Sequence, residues 1–175
     1  SLMALTLTGK EHPYKDGVGP FAPEVLRADY ATCFRCPLGL TRPGCGTACL
    51  GSLRSVLAEH GDRVAAVIVE PVLGEGGFVV PPDDFLPEVA AMARAAGALL
   101  IADEVQSGMG RTGAMFAVEH TGVRPDIMCV AKAFGNGLPI AGVIATHRVM
   151  SAFHAGEHGT TFGGNAVACA AAVAV

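Results

Sequence analysis

The fold is decided by the stretch Leu99-Leu100-Ile101-Ala102-Asp103-Glu104-Val105-Gln106-Ser107-Gly108. It begins with four apolar residues and ends in acids, polar residues and a glycine. A continuous apolar run bounded in this way predicts a strand that is buried on both faces of a parallel sheet. Such a strand places the carboxylate of Asp103 at its carboxyl end.

A second apolar run, Asp126-Ile127-Met128-Cys129-Val130-Ala131-Lys132, predicts another buried strand with Lys132 at its end. The chain has only two other lysines, Lys10 and Lys15. In open α/β sheets, ligands bind beyond the carboxyl ends of the strands. Both groups also have ordinary explanations, since an acid after a strand often caps a turn and a lysine there is usually a solvated charge.

An acid and an amine at one sheet edge match the needs of one cofactor chemistry. A carboxylate can keep a ring nitrogen protonated, and a desolvated amine can form an imine with an aldehyde. The pair formed by Asp103 and Lys132 therefore suggests pyridoxal phosphate (PLP).

The remaining elements are consistent with a parallel α/β sheet. Helical spacing and capping signals predict helices over residues 47–59 and 83–97, the second with an acidic N-cap, and a helix that starts near Gly164. Apolar runs predict strands over 64–69 and 140–146. The first of these strands ends at Glu70, so Glu70, Asp103 and Lys132 are expected to share one rim of the sheet.

Five segments resemble the class III PLP-dependent aminotransferases in order and spacing. They are Val69–Gly77 (VEPVLGEGG), Ala102–Gly113 (ADEVQSGMGRTG), Pro125–Ala133 (PDIMCVAKA), Gly137–Gly142 (GLPIAG) and Gly159–Asn165 (GTTFGGN). The resemblance implies an α/β fold, the large domain of a fold-type I PLP-dependent transferase, with a mostly parallel sheet flanked by helices. It also implies that the strand at 140–146 runs antiparallel to its neighbour.

The resemblance implies a role for several residues at the sheet rim. Lys132 would form the imine with the cofactor, and Asp103 would pair with the ring nitrogen. Val105 would pack on the ring, and Gln106 would contact its 3′ oxygen. Glu70 would lie near the cofactor.

Two further residues are assigned by the same resemblance. Thr161 lies in a Gly-rich turn before a helix, where an anion would be favoured, although an ordinary N-cap is the alternative. In the family, this threonine reaches the cofactor phosphate of the neighbouring subunit, which implies a homodimer. Glu75 would pair with an arginine of the small domain in enzymes that act on 4-aminobutyrate, ornithine and acetylornithine.

Composition and chain ends predict a fragment. The chain is 51% hydrophobic with a mean hydropathy of +0.45, and its last residues are apolar with no helix cap. We expect residues 1–45 to form an irregular arm rich in Pro, Gly and Cys. Residues 46–175 would be the central part of the PLP-binding large domain, without its N-terminal phosphate loop and C-terminal small domain. Residues 1–175 alone are expected to be inactive.

Charge and targeting signals limit the possible partners. The formal net charge is −4 with no basic cluster, which argues against nucleic acid binding. The terminal apolar stretch is shorter than the roughly 20 residues that span a bilayer, so no membrane is expected. Without a recognisable signal peptide, the expected location is cytoplasmic.

The predicted function is transfer of an amino group from an ω-amino donor such as 4-aminobutyrate to a 2-oxo acid such as 2-oxoglutarate. Ornithine or acetylornithine aminotransferase and PLP-dependent amino-acid racemase are alternatives. A non-enzymatic alternative is a cysteine-rich metal-binding module, because Cys33, Cys36, Cys45 and Cys49 have the spacing C-x2-C-x8-C-x3-C. No metal is expected, and these four cysteines remain the weaker candidates for one.

Overall fold

A computed structural model describes residues 2–175, and four strands within it form a single sheet. The strands are β1 (Ala66–Val69), β2 (Leu99–Asp103), β3 (Ile127–Val130) and β4 (Gly142–Ala145). They lie in the order β1-β2-β3-β4, so neighbours along the chain are also neighbours in the sheet. The first three strands are parallel, and β4 pairs antiparallel with β3. The predicted parallel sheet and the antiparallel last strand are both confirmed.

The α-helices in residues 2–175 are α1 (Leu2–Leu7), α2 (Gly51–His60), α3 (Phe85–Ala95), α4 (His147–Met150) and α5 (Ala166–Ala174). Short 3-10 helices occur at Cys33–Arg35, Ala48–Leu50, Gly61–Arg63, Ala117–Thr121 and Lys132–Gly135. Helix α2 with its preceding 3-10 turn, and helix α3, lie where the sequence predicts them. None of the helices in this part of the chain is both long enough and apolar enough to cross a membrane.

Helices α2 and α3 pack on the same side of the sheet. The shared core contains Leu53 of α2, Phe85 and Val89 of α3, and Leu100 of β2. Along β2, Leu100 and Ala102 are buried, whereas the alternate residues are only half-buried. The expectation that β2 is buried on both faces is therefore not met within residues 2–175, because the helices of this core cover one face.

The start of α3 differs from the sequence prediction. Asp84 occupies the N-cap position, but its side chain makes no capping hydrogen bond. Its Oδ2 instead accepts a hydrogen bond from Arg42 Nη2 at 2.8 Å. The acidic residue at the N-cap thus marked the start of the helix correctly, but its carboxylate pairs with Arg42 and does not cap the helix.

Residues 1–45 contact the core directly. Ala31 is 1% exposed and belongs to the same core as Leu53 and Phe85. The Tyr30 ring lies against the Phe85 ring, with centroids 4.9 Å apart. Helix α1 lies within the segment that was expected to be irregular, since a six-residue helix is too short to show a period in the sequence.

Helix α5 begins with a side-chain cap. Asn165 Oδ1 accepts a hydrogen bond from the Ala168 backbone N–H at 2.9 Å. We expect Asn165→Ala to lower the free energy of unfolding by about 1 kcal/mol, because it leaves that donor without its partner. Chemical denaturation of the full-length protein measures the loss. Asn165→Asp keeps an acceptor at this position, so an equal loss in both variants would contradict the capping role.

Candidate active site

Three ionisable side chains follow neighbouring strand ends. Glu70 comes directly after β1, Asp103 is the last residue of β2, and Lys132 follows β3 by two residues. Burial raises the pKa of the Glu70 carboxyl, and the nearby charge of Asp103 raises it further, whereas the charge of Lys132 lowers it. The structure therefore brings these three groups close enough to interact at the predicted rim.

Lys132 has an unusual backbone and a defined side-chain partner. Its φ of +49° lies in the left-handed region, which is uncommon for residues other than glycine. Its Nζ donates a hydrogen bond to Gln106 Oε1 at 2.6 Å. The side chain is exposed within residues 2–175, so these residues do not desolvate the amine as the sequence suggested.

Asp103 is held by one carboxylate oxygen. Its Oδ1 accepts a hydrogen bond from the Val105 backbone N–H at 3.0 Å. Its Oδ2 has no hydrogen-bond partner among residues 2–175. The carboxylate is thus oriented by the turn after β2 and keeps one acceptor oxygen for a further donor.

The Gln106 side chain lies between Lys132 and the turn that follows β1. A Cβ on Gly74 would lie 2.8 Å from Gln106 Cδ, so a larger residue at position 74 would displace this amide. Glu70 Oε2 accepts a hydrogen bond from the Gly74 backbone N–H at 2.8 Å. Glu70 thereby fixes the turn against which Gln106 packs.

Tyr30 supports this edge of the sheet, although no pattern in the sequence indicates it. Its hydroxyl donates to the backbone carbonyl of Glu70 at 3.0 Å and lies 3.3 Å from that of Pro71. Burial raises the pKa of Tyr30 well above its ordinary value, and the charge of Glu70 adds to the rise. The hydroxyl therefore stays protonated and acts as a donor, which fixes the backbone from which Glu70 projects.

The other predicted site residues are less closely joined to this group. Val105 is half-buried in the turn after β2. Glu75 interacts electrostatically with Glu70, and its charge raises the pKa of Glu70. Thr161 is exposed and makes no hydrogen bond within residues 2–175. The N-cap of α5 is Asn165, so Thr161 does not serve as the cap.

The four clustered cysteines do not form a metal site in the described part of the chain. Cys33, Cys36, Cys45 and Cys49 carry free thiols and line a small pocket of about 30 Å³. Burial raises the pKa of the Cys49 thiol, and the nearby Cys33 and Cys45 raise it further. Residues 2–175 contain no group of three or more His, Cys, Asp or Glu side chains that could hold a metal ion. The metal-binding alternative therefore has no site among these residues.

The comparison with family models decides the relationship. The family model described as aminotransferase class III matches residues 1–175. The chain belongs to the class III aminotransferases. A 4-aminobutyrate aminotransferase of Mycobacterium leprae is 46% identical over 176 residues, which cover 98% of this chain and 39% of that protein.

Solved transaminase structures share the fold of this chain. An (S)-enantioselective omega-transaminase from Thermomicrobium roseum gives a TM-score of 0.88 at 37% identity, covering 99% of this chain and 40% of that one. An ornithine aminotransferase from Toxoplasma gondii, described with partial occupancy of PLP at its active site, gives 0.79 at 34% identity, covering 99% and 36%. The present class III aminotransferase chain thus spans about two fifths of the length of these relatives.

The raised pKa of Glu70 has a consequence for the stability of this class III aminotransferase. A carboxyl whose pKa is higher in the folded protein binds more protons there than in the unfolded chain, so stability falls as the pH rises above its ordinary value of 4.5. We expect Glu70→Gln to weaken this decline. The measurement is the thermal midpoint of the full-length protein from pH 4 to pH 8, with Glu11→Gln as control, because Glu11 is exposed and does not act on Glu70. Parallel curves for wild type and Glu70→Gln would contradict the prediction.

Proposed function

We propose that the protein containing this chain is a PLP-dependent aminotransferase. It transfers the amino group of an ω-amino donor such as 4-aminobutyrate to a 2-oxo acid such as 2-oxoglutarate. The observation that carries the proposal is that Asp103 and Lys132 lie at the ends of adjacent paired strands. Both are close enough to Glu70 for their charges to shift its pKa.

The residues present suit the cofactor chemically. Asp103 is oriented through Oδ1, and its second oxygen remains able to accept a hydrogen bond from a protonated ring nitrogen. Lys132 supplies a primary amine, the group that bonds covalently to an aldehyde. Gln106 Oε1, at 2.6 Å from that amine, sets where the amine lies before reaction.

When bound, PLP supplies a conjugated ring that accepts the electron pair released at the amino-bearing carbon of the donor. The negative charge of Asp103 favours the protonated ring nitrogen and so strengthens this electron acceptor. Lys132 would attach the cofactor and, once its amine is released by the donor, would move a proton at the amino-bearing carbon. Val105 would pack against the ring, Gln106 would contact the 3′ oxygen, and Glu70 would border the site.

The proposed enzyme is a homodimer. Thr161 has no hydrogen-bonding partner within residues 2–175, and its hydroxyl is free for the cofactor phosphate in the neighbouring subunit. Glu75 is exposed beside Glu70, where it would pair with an arginine elsewhere in the protein. We place the protein in the cytoplasm.

The names of the relatives support an ω-amino donor. The Mycobacterium leprae relative is a 4-aminobutyrate aminotransferase, and the two structural neighbours are an omega-transaminase and an ornithine aminotransferase. 4-Aminobutyrate and ornithine each carry an amino group remote from the carboxylate, and the name omega-transaminase refers to a terminal amino group. We therefore give 4-aminobutyrate as the first donor to test.

The test uses the full-length protein loaded with PLP. Glutamate formation from 2-oxoglutarate is measured with 4-aminobutyrate, ornithine and acetylornithine as separate donors. We expect the largest kcat/KM for 4-aminobutyrate and no turnover when the oxo acid is omitted. Preference for ornithine or acetylornithine would instead identify the protein as an ornithine or acetylornithine aminotransferase. Racemisation of a single amino-acid enantiomer without any oxo acid would refute transamination.

A further inference from the structure

Glu104 is a buried carboxylate that the proposed chemistry does not use. It follows Asp103 directly and is 1% exposed. A buried charge is costly unless its oxygens are hydrogen-bonded, so its partners reveal what it holds together. Oε2 accepts a hydrogen bond from Ser107 Oγ at 2.5 Å, and Oε1 accepts one from the Val118 backbone N–H at 2.8 Å.

The backbone of Glu104 is fixed as well. Its N–H donates to the carbonyl of Cys129 in β3 at 2.9 Å, and its carbonyl accepts from the Gly108 N–H at 2.9 Å. A Cβ on Gly108 would lie 2.8 Å from that carbonyl oxygen, so the turn closes too tightly for any other residue. Glu104 therefore joins the turn of residues 104–108 both to β3 and to the 3-10 helix at Ala117–Thr121.

Gln106 lies at the centre of this closed turn. Its side chain packs against Gly74 and accepts the hydrogen bond of Lys132 at 2.6 Å. A turn that shifted by 1 Å would move Gln106 Oε1 away from the amine, because a hydrogen bond weakens quickly beyond its normal distance. The position of the Lys132 amine thus depends on Glu104 through Gln106.

We propose that Glu104 is a positioning residue for Lys132, since its buried carboxylate fixes the turn that carries Gln106. This inference rests on the proposed role of Lys132 in cofactor attachment. The carboxylate touches neither Lys132 nor any reacting atom. It acts by binding Ser107 within the turn and the Val118 backbone of the 3-10 helix at the same time.

The experiment uses the full-length protein freed of cofactor and then mixed with PLP. The rate of covalent attachment is measured by trapping with borohydride at intervals. Glu104→Ala loses both side-chain hydrogen bonds and should attach PLP about tenfold more slowly, as expected when a reacting group is misplaced. Ser107→Ala removes one of the two hydrogen bonds and should show a smaller decrease, and it serves if Glu104→Ala does not fold.

The conservative variant separates positioning from charge. In Glu104→Gln, the amide oxygen can accept from the Val118 N–H while its nitrogen donates to Ser107 Oγ, so attachment should return to within about twofold of wild type. After loading with PLP, the two alanine variants should show a lower kcat with little change in KM for the donor. Glu119→Gln is the matched control, because the exposed Glu119 side chain accepts a hydrogen bond only from the Phe116 N–H within residues 2–175.

Two results would overturn the inference, and they are distinguishable. If Glu104→Ala and Ser107→Ala have lower thermal midpoints but attach PLP at the wild-type rate, Glu104 only stabilises the fold. If Lys132→Ala, tested in parallel, still traps PLP, the proposed role of Lys132 in cofactor attachment fails and the inference fails with it. Slower hydrogen–deuterium exchange of the Val118 amide in wild type than in Glu104→Ala would support the hydrogen bond from Val118 that the inference requires.

Discussion

In the full-length protein, Lys132→Ala will lose both the borohydride-reducible link to PLP and transaminase turnover. Alanine removes the amine that bonds the aldehyde and the group that moves the proton. We expect kcat to fall by about a thousandfold or more, because a positioned proton-transfer group alone contributes about 10²–10⁴-fold. Visible absorbance of the bound cofactor and glutamate formation are the two measurements.

Lys15→Ala is the matched control for this experiment. Lys15 lies over the Phe21 ring, 5.5 Å from its centroid, far along the chain from the sheet edge. The control should attach PLP and turn over as wild type does. A reducible cofactor link that survives in Lys132→Ala would show that another lysine of the full-length protein forms it.

Replacing Asp103 with asparagine will lower turnover by about a hundredfold, or on the order of 3 kcal/mol in transition-state stabilisation. Asparagine keeps the shape of the side chain and can still accept from the Val105 N–H, so the turn after β2 should persist. The variant loses the charge that favours a protonated ring nitrogen. PLP affinity should fall less than kcat.

The exposed Asp62→Asn is the control for removal of one negative charge. Steady-state kinetics and PLP titration of both variants, made on the full-length protein, give the comparison. Turnover of Asp103→Asn within a few-fold of wild type would mean that the ring nitrogen has a different partner.

The sheet and its rim could be predicted because their signals are local. An apolar run between breakers marks β2 and β3, and the residue after each run needs no further information to be placed at the carboxyl edge. Spacing then put Glu70, Asp103 and Lys132 on one rim, and the structure agrees. The antiparallel direction of β4 was predicted only from the family resemblance, because nothing in the sequence of residues 140–146 indicates a direction.

The contacts that organise the rim could not be predicted because they join distant parts of the chain. Tyr30 reaches the carbonyl of Glu70 across the core, and Gln106 fits against Gly74 through a close approach visible only in three dimensions. Asp84 shows the same limit, since Arg42 takes the carboxylate that local spacing assigned to the helix cap. The exposure of Lys132 was not predicted either, because apolar residues next to it in the sequence do not show whether the folded chain covers its amine.

The order of the strands has a practical consequence for altering this molecule. Because β1, β2 and β3 are adjacent in the sheet in the same order as in the chain, each connecting segment leaves the sheet and returns to the next position. The reacting groups stand where the strands end, while α3 lies in the connection between β1 and β2. The loops at the opposite edge of the sheet, where β1, β2 and β3 begin, can therefore be lengthened, shortened or exchanged one at a time. Strand pairing preserves the spacing of Glu70, Asp103 and Lys132.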